Sequence, residues 1–173
     1  MGDDIFLGGQ FNILNVQSVF YSNNIVKFNT KTQSWDWMSG GVNLGVYSIE
    51  IDHNRENTLL VGGEFTSVSY LRKPCGGLSY WNYTDWYSPT TSLSLTPQNT
   101  IHTISSVPGV GIFVGGRIEN FENLTVDNVA FYNNSLGKWG YFIFSIYFVS
   151  KFSFSLYFLN KFVSSWYVWR LPI

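Results

Sequence analysis

A short motif returns three times in this chain, and it limits the fold more than any other feature. Ile5-Phe6-Leu7-Gly8-Gly9-Gln10-Phe11 recurs as Leu59-Leu60-Val61-Gly62-Gly63-Glu64-Phe65 and again as Ile112-Phe113-Val114-Gly115-Gly116-Arg117-Ile118. Gly8 and Gly62 stand about 54 positions apart, Gly62 and Gly115 about 53, a spacing typical of stacked supersecondary repeats. A second signature follows each glycine pair in the same phase. It reads Asn24-Ile25-Val26-Lys27-Phe28 then Trp35, Gly77-Leu78-Ser79-Tyr80-Trp81 then Trp86, and Asn128-Val129-Ala130-Phe131-Tyr132 then Trp139. A third, alternating apolar element closes the first two copies: Val46, Ile49 and Ile51, matched by Ile101 and Ile104.

Each period holds four short segments rich in β-branched and aromatic residues, separated by turn residues. Asn29-Thr30-Lys31-Thr32-Gln33 is a polar hairpin loop between two of them. No window in the first 139 residues carries a helical apolar period. Four antiparallel strands per unit make one blade of a β-propeller. The expected fold is therefore all-β, with antiparallel four-stranded blades of an incomplete β-propeller of two and a half to three repeats. The copies span 5–57, 58–110 and 111–139, the third lacking its closing strand, and a hydrophobic tail follows at 140–173.

Glycine is expected where strands crowd, because a residue without Cβ lets backbones approach closely, and where the chain needs φ > 0. The in-phase tryptophans are large enough to fill the gap between neighbouring blades while their N–H reaches a carbonyl. A phosphate cradle at Gly-Gly would need a following helix, and none follows.

The in-phase order of Gly-Gly, an aromatic strand and Trp resembles kelch repeats, and Asn24 to Trp35 looks like a kelch strand–turn–strand. Gly-Gly-x-Phe at Gly8 to Phe11 and Gly62 to Phe65 is also similar to repeats of the fungal cortical marker for cell polarity. The resemblance covers residues 5 to 139, with Ile118 replacing Phe in the third copy. It implies a non-catalytic interaction scaffold, and for the second family a large extracellular region with a membrane anchor. A minority of kelch-type proteins are copper oxidases such as galactose oxidase, the alternative reading. Their ligand set and Tyr–Cys crosslink find no match in His53, His102 or Cys75.

Other features narrow the function further. The formal net charge of -1 leaves no basic footprint for nucleic acid. The lone Cys75 allows no internal disulfide and reads as a buried or loop thiol. Acidic residues are scattered, and Glu119 with Glu122 is better read as solvated loop charge than as an acid pair. No catalytic, cofactor or metal residue is assigned. Asn82-Tyr83-Thr84, Asn123-Leu124-Thr125 and Asn133-Asn134-Ser135 are glycosylation sequons, which with the resemblance favour a membrane or cell-surface setting. The start from Met1 has neither the basic nor the apolar stretch of a secretory leader, and Phe6 occupies the position where a myristoylation signal has Ser or Thr.

Propellers typically use 4–8 blades. Three copies are therefore expected to belong to a longer array or to assemble with other chains, through an unidentified protein partner. The tail supports three readings. Residues 141–159 have the length of a membrane span, with Lys151 making insertion marginal. The Phe/Ser and Phe/Tyr alternation fits extra strands. The Phe, Tyr, Ile, Asn and Lys content after Trp139 fits a translated intron, in which case the product is truncated and has no independent function.

Overall fold

The computed structural model describes residues 2–15, 20–88, 99–121, 124–126 and 128–141. The tail from 142 onward, with its membrane, strand and intron readings, lies outside the described residues, as do Asn123 and Glu122. The described chain is all-β. Its strands are β1 (Asp4–Asn15), β2 (Phe20–Asn29), β3 (Ser34–Asp36), β4 (Val46–Ile51), β5 (Leu59–Gly63), β6 (Ser67–Val68), β7 (Lys73–Pro74), β8 (Leu78–Trp81), β9 (Trp86–Tyr87), β10 (Thr100–Val107), β11 (Gly111–Arg117), β12 (Asn120–Phe121), β13 (Leu124–Thr125), β14 (Val129–Asn133) and β15 (Lys138–Tyr141). One 3-10 turn, Met38–Gly40, follows β3. Among the described residues no helix is long and apolar enough to cross a membrane.

Three antiparallel sheets carry the repeat. The first has order β1-β2-β3, the second β4-β5-β8-β9, and the third β10-β11-β14-β15. Two small hairpins, β6-β7 and β12-β13, are inserted after the glycine-pair strands of the second and third sheets. The described sheets do not close into a ring.

The sheets are cut from the chain in a different phase from the sequence copies. Val46–Ile51, expected to close the first copy, pairs instead with Leu59–Gly63, and so opens the second sheet. Thr100–Val107 likewise opens the third sheet by pairing with Gly111–Arg117. The third sheet, expected to lack a strand, is four-stranded, and it is the first that has three. β4 and β10 each form an antiparallel hairpin with the next glycine-pair strand, across residues 52–58 and the short turn 108–110.

In the second sheet both glycines of the pair serve close approach. A Cβ on Gly62 would lie 2.6 Å from Ile101 Cγ2 and 2.9 Å from Ile104 Cδ1 in the next sheet. Gly8 meets Val46 Cγ1 and Ile49 Cδ1 at 2.6 and 2.7 Å in the same way. A Cβ on Gly63 or Gly116 would instead collide with the carbonyl oxygen of Gly45 or Thr100, at the bulge where β4 and β10 enter their sheets. None of these glycines has positive φ. That conformation falls on Gly77 (φ 78) and Asn128 (φ 64), just before β8 and β14, and on Asn24 (φ 61) at the equivalent repeat position inside β2, a left-handed position that Asn and Gly tolerate best. The carbonyls of Gly77 and Asn128 accept from the N–H of Gly63 and Gly116 at 2.9 and 3.0 Å.

Two apolar cores lie between the sheets. The first joins Ile25 of the first sheet to Val46, Leu59, Val61, Trp81 and Trp86 of the second, and also takes in Met38 and Cys75. The other joins Leu60, Leu78 and Tyr80 to Ile101, Ile104, Ile112, Val114 and Trp139. Each fully buried aliphatic side chain here contributes about 1.5–3 kcal/mol. A tilted aromatic pair recurs in each sheet: Phe28 with Trp35, Trp81 with Trp86, and Tyr132 with Trp139, at centroid separations of 4.7, 5.2 and 5.3 Å.

Candidate interaction surface

The segment from Trp37 to Gly45 links the first sheet to the second, and the β6-β7 hairpin is bonded along it. Ser69 N–H donates to Gly41 O at 2.8 Å, Tyr70 N–H to Ser39 O at 2.7 Å, and Asn43 N–H to Ser67 O at 3.1 Å. Asn43 Oδ1 also accepts from the N–H groups of Thr66 and Ser67, both at 2.9 Å. Below it, Val68 enters the core between the sheets. The tip is therefore fixed from both sides, and it presents Tyr70 and Leu71 to solvent. The Tyr70 ring is stacked with Trp37 at 6.2 Å and an interplanar angle of 4°. An exposed aromatic and aliphatic group on a braced hairpin is suited to contact with another macromolecule, since little ordering entropy is lost on binding.

A second exposed group spans corresponding positions of neighbouring sheets. Tyr47 and His102 are the second and third residues of β4 and β10, and their rings stack at 5.4 Å with a 15° angle. Gln10 and Glu64, each following a glycine pair, are joined by a 3.1 Å hydrogen bond from Gln10 Nε2 to Glu64 Oε1. The Tyr47 hydroxyl is held above its ordinary pKa by desolvation first and by its hydrogen bond to Glu64 second. The arrangement offers a stacking face beside an amide and a carboxylate.

On the opposite ends of the strands the second and third sheets are tied together by a charged cluster. The Asp52 side chain is fully buried, and its Oδ1 accepts from Ser106 Oγ at 3.1 Å and from Asn54 N–H at 2.9 Å. Arg55 Nη1 lies 3.2 Å from Asp52 Oδ2. Its guanidinium sits 4.6 Å from the Tyr80 ring centroid and 5.3 Å from that of Tyr132 in the third sheet. Burial pushes the Tyr80 hydroxyl up to about 12, with Arg55 acting against the shift. The Asp52 carboxylate, held by Ser106, Asn54 and Arg55, makes this a structural clamp.

The residues weighed for chemistry are dispersed. The N–H of His53 donates to Ser106 Oγ. His102 lies four residues from Ser106 along β10, roughly 13 Å at strand rise. Cys75 is buried in the core between the first and second sheets, and desolvation raises its thiol to about 12. Among the described residues no three His, Cys, Asp or Glu side chains gather as metal ligands. Glu119 is exposed, its main-chain N–H donating to Asn99 Oδ1. Two of the sequon asparagines belong to hairpin turns. Asn82 Oδ1 accepts from the N–H groups of Thr84 and Asp85, and Asn133 Oδ1 from that of Leu136, as Asn29 Oδ1 accepts from Lys31 and Thr32 in the first sheet. The Tyr70–Leu71 tip was not legible in sequence, because one Tyr-Leu pair among polar residues carries no period.

No protein-family model matches the chain, and no curated protein matches it either.

Proposed function

We propose that this chain is a non-catalytic protein-interaction module built from kelch-like β-propeller blades, acting as a scaffold in a cell-surface setting. The observation that carries this reading is the braced Trp37–Tyr70–Leu71 tip on a stack of sheets that hold it in place. Contact residues on a hairpin supported by rigid sheets are how scaffold proteins commonly present a binding surface. The in-phase Gly-Gly and Trp signatures, which fall on two four-stranded sheets of one strand order and on a three-stranded first sheet, support the kelch-like blade. The sequons and the likeness to fungal cortical marker repeats support the cell-surface setting.

The test is site-specific photo-cross-linking in the native host, with a benzophenone amino acid placed at Tyr70 and, separately, at Leu136 on a hairpin turn far from that tip. A discrete cross-linked protein from position 70, absent from position 136 and lost on Leu71→Asp, is expected. Equal labelling from both positions, or none from position 70, removes the reading. Stoichiometric copper uptake with a radical absorbance band would replace it with the oxidase.

A further inference from the structure

We propose that the edge of β1 opposite β2 takes up an extended segment of another polypeptide, antiparallel along Ile5 to Gly9. The segment reads Val or Ile, then an aromatic or imidazole ring, then Ser or Thr, then Ile. This pattern comes from the two places where the chain fills the same edge itself. In the second sheet Val46 lies opposite Gly63, Ser48 opposite Gly62 and Ile49 opposite Val61, with Tyr47 bulged between them. In the third, Ile101, Thr103 and Ile104 lie opposite Gly116, Gly115 and Val114, and His102 is the bulged residue. Val46-Tyr47-Ser48-Ile49 and Ile101-His102-Thr103-Ile104 therefore follow one rule. Gly9, Gly8 and Leu7 hold the matching positions of the first sheet, where among the described residues β1 is bonded to β2 alone.

The glycines show what the edge is shaped to receive. A Cβ on Gly63 would lie 2.0 Å from the carbonyl oxygen of Gly45, and one on Gly116 would lie 2.0 Å from that of Thr100. Both carbonyls belong to the chain entering the edge strand. Gly9 is the same residue in the same place, and the described atoms nearest to a Cβ built there are those of the Phe11 ring, at 3.5 and 3.6 Å. The side chains agree. Ile5 and Leu7 are 48% and 43% exposed and Gly8 beside them is exposed, whereas their counterparts Leu59 and Val61 are 1% and 0% exposed and face Ile51 and Ile49 of β4 directly. An Ile delivered opposite Leu7 makes the same cross-strand contact. Tyr47 supplies the third point of recognition. Its ring stacks on His102, bulged residue on bulged residue of neighbouring sheets, and it is still 41% exposed. A ring arriving beside Gly9 takes the place one sheet before Tyr47 and extends that row. Strand addition of this kind draws affinity from main-chain hydrogen bonds and specificity from alternate side chains.

The experiment adds a fluorescent synthetic peptide of residues 44–52 to the full chain, with binding read by anisotropy and the site by amide hydrogen exchange. Saturable binding is expected, with exchange slowed at residues 5–9 and unchanged at Leu59–Gly63. The same peptide carrying Ile49→Asp should bind about tenfold more weakly, since a buried aliphatic contact is lost. Gly9→Val in the chain, with β-sheet circular dichroism retained, should abolish binding by blocking the incoming carbonyl. No binding overturns the proposal. So does slowed exchange at Leu59–Gly63 in place of 5–9, equal binding of the Ile49→Asp peptide, or a folded Gly9→Val chain that still binds. If Gly9→Val does not fold, the exchange pattern of the wild-type chain decides the matter. The outcome is independent of the Trp37–Tyr70–Leu71 tip, which cross-linking at position 70 tests by itself.

Discussion

The indole N–H of Trp86 donates to the main-chain carbonyl of Met38 at 2.6 Å, crossing from the second sheet to the turn that ends the first. Both residues are fully buried, so this bond ties the two sheets together in a place closed to water. Trp81 beside it has no hydrogen-bond partner for its indole nitrogen among the described residues. The two neighbouring tryptophans thus divide the work, Trp81 by volume and Trp86 by volume and a directed bond.

Trp86→Phe should destabilise the fold by about 2–4 kcal/mol, combining the lost ring volume with an unsatisfied buried carbonyl. Trp35→Phe, at the exposed counterpart, should cost less than about 1 kcal/mol in the monomer. Chemical denaturation of the two variants side by side checks the contrast, and equal losses would contradict the inter-sheet bond.

Gly62→Val places a branched side chain where Ile101 and Ile104 already stand, and overpacking of this kind costs about 1–3 kcal/mol. Ile101→Ala on its own also destabilises, by leaving a cavity. The double variant should lose less than the sum of the two, since the added and removed groups occupy the same space. A double-mutant cycle by thermal unfolding measures the coupling, and strict additivity would place the two residues in separate environments.

Removing the guanidinium at Arg55 leaves the fully buried Asp52 carboxylate without its cation. Arg55→Ala is expected to cost about 1–3 kcal/mol, less than a fully buried pair because the Arg55 side chain is partly exposed. Arg55→Lys should recover only part of it, because the planar group facing Tyr80 and Tyr132 is lost. Full rescue by lysine in equilibrium unfolding would show that charge alone matters there.

Cys75 and Tyr80 have their acidic groups raised to about 12 by burial. For each, the folded state resists loss of the proton more than the unfolded chain does. The associated stability is fully present below the unfolded values, about 8.5 for Cys and 10 for Tyr, and it is lost as pH rises toward 12. Stability should therefore fall on the alkaline side, and Cys75→Val should flatten the onset of that fall. Iodoacetamide at pH 8 should label Cys75 only at the rate of opening, which mass spectrometry can follow. Prompt labelling of the native chain would place the thiol at the surface.

Asn29, Asn82 and Asn133 close equivalent hairpin turns with their side-chain oxygens. Asn29→Ala should lose about 1 kcal/mol, as for a local side-chain cap. In the native host, occupancy of Asn82 by glycan should be low, because its Nδ2 also donates to the Tyr87 hydroxyl at 3.2 Å. Glycosidase digestion with peptide mapping reads that directly, and full occupancy at Asn82 would show that the turn opens before modification.

The spacing of Gly8, Gly62 and Gly115 made the repeated antiparallel sheets legible in the sequence, and at Gly8 and Gly62 the cause is close approach between sheets, which tolerates no Cβ. Asn24, Gly77 and Asn128 stood in the sequence only as the first residues of the aromatic signature, and their shared left-handed backbone emerged from the structure. The allotment of Val46–Ile51 was not visible. A period fixes spacing and leaves its origin free, and hydrogen bonding alone decides whether a strand ends one sheet or begins the next. Arg55 between Tyr80 and Tyr132 was hidden for a different reason. Those three residues come from separate strands and loops, and no pattern in the chain announces that they meet. The Tyr70–Leu71 tip was hidden because its support comes from the linker at Ser39 and Gly41.

Because each sheet begins with its own first strand, the seam between units falls in the Trp37–Gly45 linker and not inside a sheet. A gene segment duplicated from codon 46 to codon 99 would thus insert one entire, self-paired unit, with its aliphatic ridge and its receiving glycine in matching order at the two junctions. Arrays of this design can grow or shrink by unequal crossing-over without breaking a single ladder of main-chain bonds. Their length is free to vary in descent while the joint between neighbours stays the same.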